Sequence, residues 1–275
     1  MRIILTSIGL TVVFLLVVSS SFALDPGAVA DGHVWLMDSI VGAEVPDDSA
    51  NSVNGVIVGN PVLVPGANGM ALKLDGVDDA IHIPDSQFIN ITNGPWSNRT
   101  VTAAFNCANV SKSEKQTIYE EGGLTRGFSI YVFEGEVYVG GWNKDATQVD
   151  WNPGEWMSAP VESNKWHGVA LVLRDGTDTV EADKFEMWLD GDLVGKAPGS
   201  NIYNHADDNG IGDTNTNVVF HDGDGPGSGW FFEGMIDEVW VLNQALSEAE
   251  LGDALTSVEP VSKLTSSWGA IKSQR

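Results

Sequence analysis

The chain has 275 residues, with 38 acidic against 14 basic side chains, a formal net charge of −24, 43% apolar residues and a single cysteine, Cys107. A carboxylate excess of this size repels nucleic acid phosphates and anionic lipid headgroups, so neither is an expected partner. One cysteine excludes an intramolecular disulfide.

In chain order, residues 1–23 read as a secretory signal peptide: a basic start at Met1-Arg2, an apolar run from Ile3 to Val18, and the small residues of Ser21-Phe22-Ala23. The run is short for a bilayer span, and no later segment is apolar enough to supply one. The mature protein is therefore expected to be secreted, extracellular or at the cell surface. Residues 24–255 show strand and turn signals with one convincing helix, and residues 256–275 read as a C-terminal tail in which Trp268 stands out. Met70 to Asp75 and Ala80 to Ile83 flank a turn, Arg99 to Cys107 alternates cleanly, and Gly127 to Phe133 pairs with Glu136 to Trp142 across Glu134-Gly135. Lys165 to Arg174 is a further strand, and Phe185 to Leu189 returns through Asp190-Gly191 into Asp192 to Gly195. Met235 to Leu242 alternates as the last strand, after which Ser247 and Glu250 form a capping box that opens a short helix. Cys107 lies in phase with Val101, Ala103 and Phe105, which predicts a buried, inert thiol. Many short strands without interleaved helices predict an all-β, antiparallel β-sandwich closed by one short C-terminal helix.

Several segments, in order, resemble LamG-like jelly-roll domains of the concanavalin A-like lectin/glucanase class. They are Leu74-Asp75-Gly76-Val77-Asp78-Asp79-Ala80-Ile81, Thr100 to Phe105, Trp166-His167-Gly168-Val169-Ala170, Trp188-Leu189-Asp190-Gly191 and the closing Ile236-Asp237-Glu238-Val239 with Ala245-Leu246-Ser247. The resemblance implies a jelly roll over about residues 31–255. It leaves function to be argued from a site, because lectins, adhesion modules, sugar-binding modules and glucanases share the fold.

Glucanases of this class use a Glu-x-Asp-x-x-Glu strand, and Glu181-Ala182-Asp183-Lys184-Phe185-Glu186 has that spacing. Here it follows Trp166-His167 instead of preceding it, and it runs straight into the Asp190-Gly191 hairpin, so no catalytic residue is assigned and a glucanase is the least favoured reading. The resemblance also implies a structural Ca2+ where Asp237 on the last strand meets an N-terminal loop containing Asp47 and Asp48, in which Ala50 replaces the usual glycine. The alternative for these aspartates is hydrogen bonding to loop amides without an ion. A second acidic stretch, Asp207 to Gly229 with Asp213, Asp222 and Asp224, is either a weaker cation site or a rim loop. Trp142, Trp151 and Trp156 stand in a polar, turn-rich stretch, where exposed indoles would stack on sugar rings; packing onto the sandwich is the alternative. The combined expectation is a secreted, non-catalytic module binding an extracellular glycan. The rival is a structural or adhesive surface protein with a protein partner.

Overall fold

The computed structural model describes residues 24–91, 94–205, 209–225 and 227–256; the segments read as a signal peptide and as a C-terminal tail, with Trp268, lie outside them. After a short 3-10 turn (Pro26–Ala28) come β1 (Gly32–Trp35), β2 (Glu44–Val45), β3 (Gly55–Val58), β4 (Val62–Pro65), β5 (Met70–Asp75) and β6 (Ala80–Ile83). The middle of the chain supplies β7 (Arg99–Cys107), β8 (Gln116–Gly122), β9 (Arg126–Phe133), β10 (Glu136–Asn143), β11 (Trp151–Pro160) and β12 (His167–Leu173). Then follow β13 (Glu181–Leu189), β14 (Asp192–Gly199), β15 (Asn209–Ile211), β16 (Val218–Phe220), β17 (Gly223–Gly225), β18 (Glu233–Leu242) and the helix α1 (Glu248–Thr256).

Two antiparallel sheets face each other, giving the expected jelly-roll β-sandwich. The first has the order β14-β13-β12-β7-β18-β5-β4, with β1 also paired to β18; the second runs β11-β10-β9-β8-β15-β6-β3-β2. Between them the inward residues of both sheets form one core, including Trp35, Leu72, Phe105, Ile118, Phe128, Trp151, Leu171, Phe185 and Val239. Cys107 is fully buried there, and burial raises its thiol pKa, as its phase on β7 predicts.

The local signals are realised by identifiable contacts. Asp190 (φ 52°) and Gly191 (φ 87°) both take positive φ, which a two-residue hairpin of this twist requires. Asp190 also ties its turn to the Trp166-His167 motif, accepting from Gly168 N at 2.9 Å and meeting His167 Nδ1 at 2.9 Å. The capping box closes as read: Ser247 N donates to Glu250 Oε2 at 2.8 Å, and Ser247 Oγ does so at 2.7 Å. Helix α1 then buries Leu251 and Leu255 on the outer face of the first sheet against Ala170, Val172, Trp188 and Leu242.

The second sheet departs from a simple sandwich. β8, β9 and β10 are buried on both faces, because the segment between β15 and β18 folds back across their outer side. Its β16–β17 hairpin packs Val218, Val219 and Phe220 on Tyr131 and Trp142. Thr117 N donates to Trp230 O at 2.8 Å, and Lys115 and Lys144 pair with Asp222 and Asp224 at 2.8 and 2.7 Å. Among the described residues, no helix is long and apolar enough to cross a membrane.

Candidate functional site

The three tryptophans do not form one exposed platform. The polar stretch that suggested a loop is an edge strand, β11, paired to β10 in the register Trp151↔Asn143 and Trp156↔Gly140. Residues 151 and 156 are an odd number apart and so lie on opposite faces. Trp151 points into the core, edge-on to Phe185 with centroids 5.5 Å apart. Trp142 points outward but is fully buried under the closing segment, and its Nε1 donates to Gly123 O at 2.8 Å. A buried ring offers no face to a sugar, so the expectation is corrected for Trp142 and Trp151. Trp156 is half-buried, stacked on Trp142 at 6.3 Å and laid flat across Gly140, where a β-carbon would come within 2.1 Å of its Nε1.

The glucanase-like motif is also dispersed. Glu181 is exposed and accepts from Thr177 Oγ1 at 3.0 Å. Glu186 stands opposite Val172 on the helix side of the first sheet, bonded to Arg174 Nε and Nη2 at 2.9 and 3.0 Å, Trp188 Nε1 at 3.1 Å and Lys196 Nζ at 3.0 Å. Burial opposes its charge, but Arg174, Trp188 and Lys196 outweigh burial and hold its pKa at about 2. Glu186 is thus a structural anchor. A folded-state pKa below the ordinary 4.5 contributes stability above pH 4.5 that is lost as pH falls towards 2. Glu186→Gln should therefore lower stability by about 1–3 kcal/mol at pH 7 and flatten that acid-side loss, read from urea midpoints between pH 2 and 7.

The three metal candidates separate into two groups. Asp47 is saturated by the protein: Oδ1 accepts from Val34 N and Ser49 N at 3.0 and 2.9 Å, while Oδ2 accepts from Val53 N at 2.9 Å and meets His33 Nδ1 at 2.8 Å. Burial works against its charge, but these bonds bring its pKa down to about 2. Asp47 therefore takes the loop-organising role, which corrects its assignment as a ligand. Asp48 accepts from Leu36 N at 3.3 Å; burial raises its pKa, with Asp47 and Asp38 adding repulsion.

Asp237 is different, and the topology says why. One edge of β18 is taken by β5 along Glu233–Ile236 and by β1 along Val239–Leu242. In the gap between those partners β18 bulges, with Glu238 at φ 51°, and the loops after β1 and before β5 meet there. Asp237 is fully buried in this gap. Its Oδ2 accepts from Asn68 N at 3.0 Å, and its Oδ1 has no hydrogen-bond partner. Burial pushes its pKa up to about 8, with Glu238 and Asp38 adding repulsion. Asp38 lies across the gap and accepts from Met70 N at 2.7 Å. Gly66 and Gly69 let the loop backbone close on both carboxylates, since a β-carbon would stand 2.5 Å from Asp237 Oδ2 at Gly66 and 2.2 Å from Asp38 Oδ1 at Gly69. An orphaned buried carboxylate oxygen, a second carboxylate and a glycine-rich backbone loop fit a hard divalent cation. Sequence reasoning found Asp237 but missed Asp38 and the loop at residues 66–69; Gly66-Ala67-Asn68-Gly69 ahead of a strand was the available signal.

Two other acidic groups differ from this. Asp75, Asp78 and Asp79 place ligand atoms within 4.8 Å of one another, a grouping able to hold a metal ion, yet Asp75 and Asp79 already accept turn amides from Val77 at 2.8 Å and Asn60 at 2.6 Å. Asp213, Asp222 and Asp224 do not converge. They pair separately with His82, Lys115 and Lys144.

An open polar cleft of about 500 Å3 lies at one end of the second sheet. There β6, β15 and β8 are neighbours, so the loop after β6 supplies Asp85, Asn90 and Ile91, the β8–β9 turn supplies Gly123 and Thr125, the start of β9 supplies Arg126, and the loop before β15 supplies Asn204 and His205. Asn90, fully buried, donates through Nδ2 to Asp85 Oδ1 at 2.5 Å and accepts from His205 N at 3.0 Å through its carbonyl. Arg126 donates through Nη1 to Asn204 O at 2.6 Å and through Nη2 to Asp145 Oδ2 at 2.7 Å. The cleft thus has a rigid, hydrogen-bonded wall and exposed polar groups at Asp85, Thr125 and Asn204. None of its residues was singled out from the sequence as a binding group.

A family model described as the concanavalin A-like lectin/glucanases superfamily matches residues 75–252, and the chain belongs to that superfamily. No curated protein matches the sequence. Among solved structures, domain 4 of AbnA, a GH43 extracellular arabinanase from Geobacillus stearothermophilus solved with arabinotriose, is similar at a TM-score of 0.55 and 16% identity, over 81% of this chain and 97% of that one. The binding domain of botulinum neurotoxin DC in complex with SialylT is similar at 0.59 and 12%, over 83% of this chain and 51% of that one. The binding domain of Paraclostridial Mosquitocidal Protein 1 is similar at 0.57 and 12%, over 81% and 50%. This chain therefore spans about half the length of those toxin domains. At such identities the likeness is one of fold.

Proposed function

We propose that this protein is an exported, non-catalytic module that binds an extracellular glycan. The observation that carries the reading is the polar cleft at the loop end of the second sheet, where Asp85, Asn90, Thr125, Arg126 and Asn204 set hydrogen-bonding groups around one open space. Ligand sites of this size, with a few fixed polar groups, bind small molecules or their ends. The similar domain from the arabinanase, solved with a bound arabinotriose, supports a sugar as the ligand class. A non-catalytic role accords with the dispersal of Glu181 and Glu186, with the burial of Glu120 beneath the closing segment and with that of Glu121 between the sheets. We further propose Ca2+ at Asp38 and Asp237, where the ion would neutralise the buried carboxylate and lock the loops joining β1 and β5 to β18; its role is structural, since neither residue lines the cleft.

Affinity electrophoresis of the mature chain through gels containing arabinan, xylan, mannan or β-glucan tests the reading. Retardation by at least one polymer is expected, and Asp85→Ala should reduce it. Free migration in every gel would sink glycan binding and leave a protein partner as the reading to pursue.

A further inference from the structure

We infer that the cleft grips the end of a neutral glycan chain and not the flank of a long polymer. This rests on the glycan-binding reading above and adds which part of the glycan, and of what charge, the site accepts.

The first argument is placement. The cleft is bounded by loop tips at the end of β6, β15 and β8, so it opens at the end of the sheet and not along its face. A polymer lying along the face of the second sheet would need its outer side. That side is closed where β16, β17 and Trp230 cover Tyr131 and Trp142.

The second argument is surface chemistry. Binding along a polymer's flank relies on aromatic rings that stack on successive sugars. Among the described residues no Trp, Tyr or Phe lines this cleft, and the one ring that does, His205, is buried; the exposed apolar side chain is Ile91, 54% exposed, which offers one patch for the C–H face of one sugar. The remainder of the wall is hydrogen-bonding. A terminal sugar presents more free hydroxyls than an internal one, and a carboxylate accepts from two neighbouring hydroxyls at once. Asp85 is such a carboxylate, braced by buried Asn90.

The third argument is charge. The cation in the cleft, Arg126, is already paired with Asp145 at 2.7 Å, while Asp85 remains exposed in the wall. An acidic sugar would meet Asp85 and a chain of net charge −24 without gaining an uncommitted positive partner.

The test is calorimetric titration with arabino-, xylo-, manno- and cello-oligosaccharides from dimer to hexamer, beside gels containing polygalacturonate and alginate. Affinity in the binding series should change by less than about threefold from trimer to hexamer, because only the end is read. Asp85→Asn should weaken binding about tenfold or more, and Trp156→Ala less than about twofold. Both positions are accessible, and thermal melts of each variant check that the fold is retained. An affinity that climbs tenfold with chain length, a loss confined to Trp156→Ala, or preferential retention by an acidic polymer would each overturn the inference while leaving glycan binding intact. Absence of binding to any oligosaccharide or gel would instead remove the parent reading, and this inference with it.

Discussion

In chelator, the protein should lose several kcal/mol of stability as pH rises from 5 to 8.5, and calcium should restore most of it. The origin is Asp237. Its carboxyl has a folded-state pKa of about 8 against an ordinary value of 3.8, because burial disfavours its charge. Between those two values the unfolded chain has released a proton that the folded chain still holds, so folding becomes less favourable as pH climbs and the full cost is reached above pH 8. Each pH unit of that window is worth about 1.4 kcal/mol, which makes the effect one of the largest available to a single side chain. A divalent cation reverses the sign, since it requires the ionised form and gives the unpaired Oδ1 a partner. Calcium at a hundredfold excess over its dissociation constant adds about 2.7 kcal/mol through binding the folded state alone. Urea midpoints at pH 5, 7 and 8.5, in EDTA and in calcium, measure both effects. Asp237→Asn should abolish the calcium increment and remove its share of the pH slope. Identical slopes in the two proteins would refute the assignment.

Replacing Arg99 by Met should destabilise the fold by about 3–5 kcal/mol, because it leaves Glu121 in the interior without its cation, to be buried either as an unpaired charge or at the cost of taking up a proton. Both side chains are fully buried between the sheets, Arg99 Nη1 to Glu121 Oε2 at 3.2 Å, with Tyr119 Oη donating to the same oxygen at 2.6 Å. Burial already raises the pKa of Glu121 despite Arg99 beside it. The companion Glu121→Leu in the Arg99→Met background should recover much of the loss, because an apolar pair of similar volume avoids desolvating charge. Chemical denaturation of the two single variants and the double variant forms the cycle; additive losses would show that the pair is not coupled. The pair also reaches the cleft. Arg99 Nη2 donates to Ile89 O at 3.2 Å, one residue before the Asn90 that braces Asp85, so a folded Arg99→Met protein should bind glycan more weakly as well.

The fold was largely readable from the sequence because its signals are local. Alternation, the Asp190-Gly191 turn and the Ser247–Glu250 box each depend on residues a few positions apart. The phase of Arg99 to Cys107 was enough to bury the thiol. The errors come from what is not local. Trp151 and Trp156 looked alike in a polar stretch, yet once that stretch is an edge strand their odd separation sends one inward and one outward. Trp142 was placed on a strand correctly, but its burial depends on a hairpin some eighty positions later, which no pattern around residue 142 announces. Asp47 and Asp237 carried the same expectation, and the structure divides them by hydrogen-bond supply: four protein donors surround Asp47, while one oxygen of Asp237 has none. Asp38 meets Asp237 because β1 and β5 share one edge of β18, a fact of sheet order. The cleft is the same kind of object, built from three loops that are distant in sequence and adjacent only because β6, β15 and β8 are.

Leu24 and Val29, at the start of the described chain, pack into the same apolar cluster as Leu251 and Leu255 of the closing helix, on the outer face of the first sheet. The chain therefore enters and leaves the sandwich through one doorway. The cleft belongs to the second sheet, so residues 24 and 256 both lie on the side of the sandwich away from it. In mechanical terms, pulling on both ends loads β1, β18 and the helix first, and His33 and Asn243 pass that load to the cleft loop through Ser86 Oγ at 2.6 Å and Phe88 O at 3.0 Å.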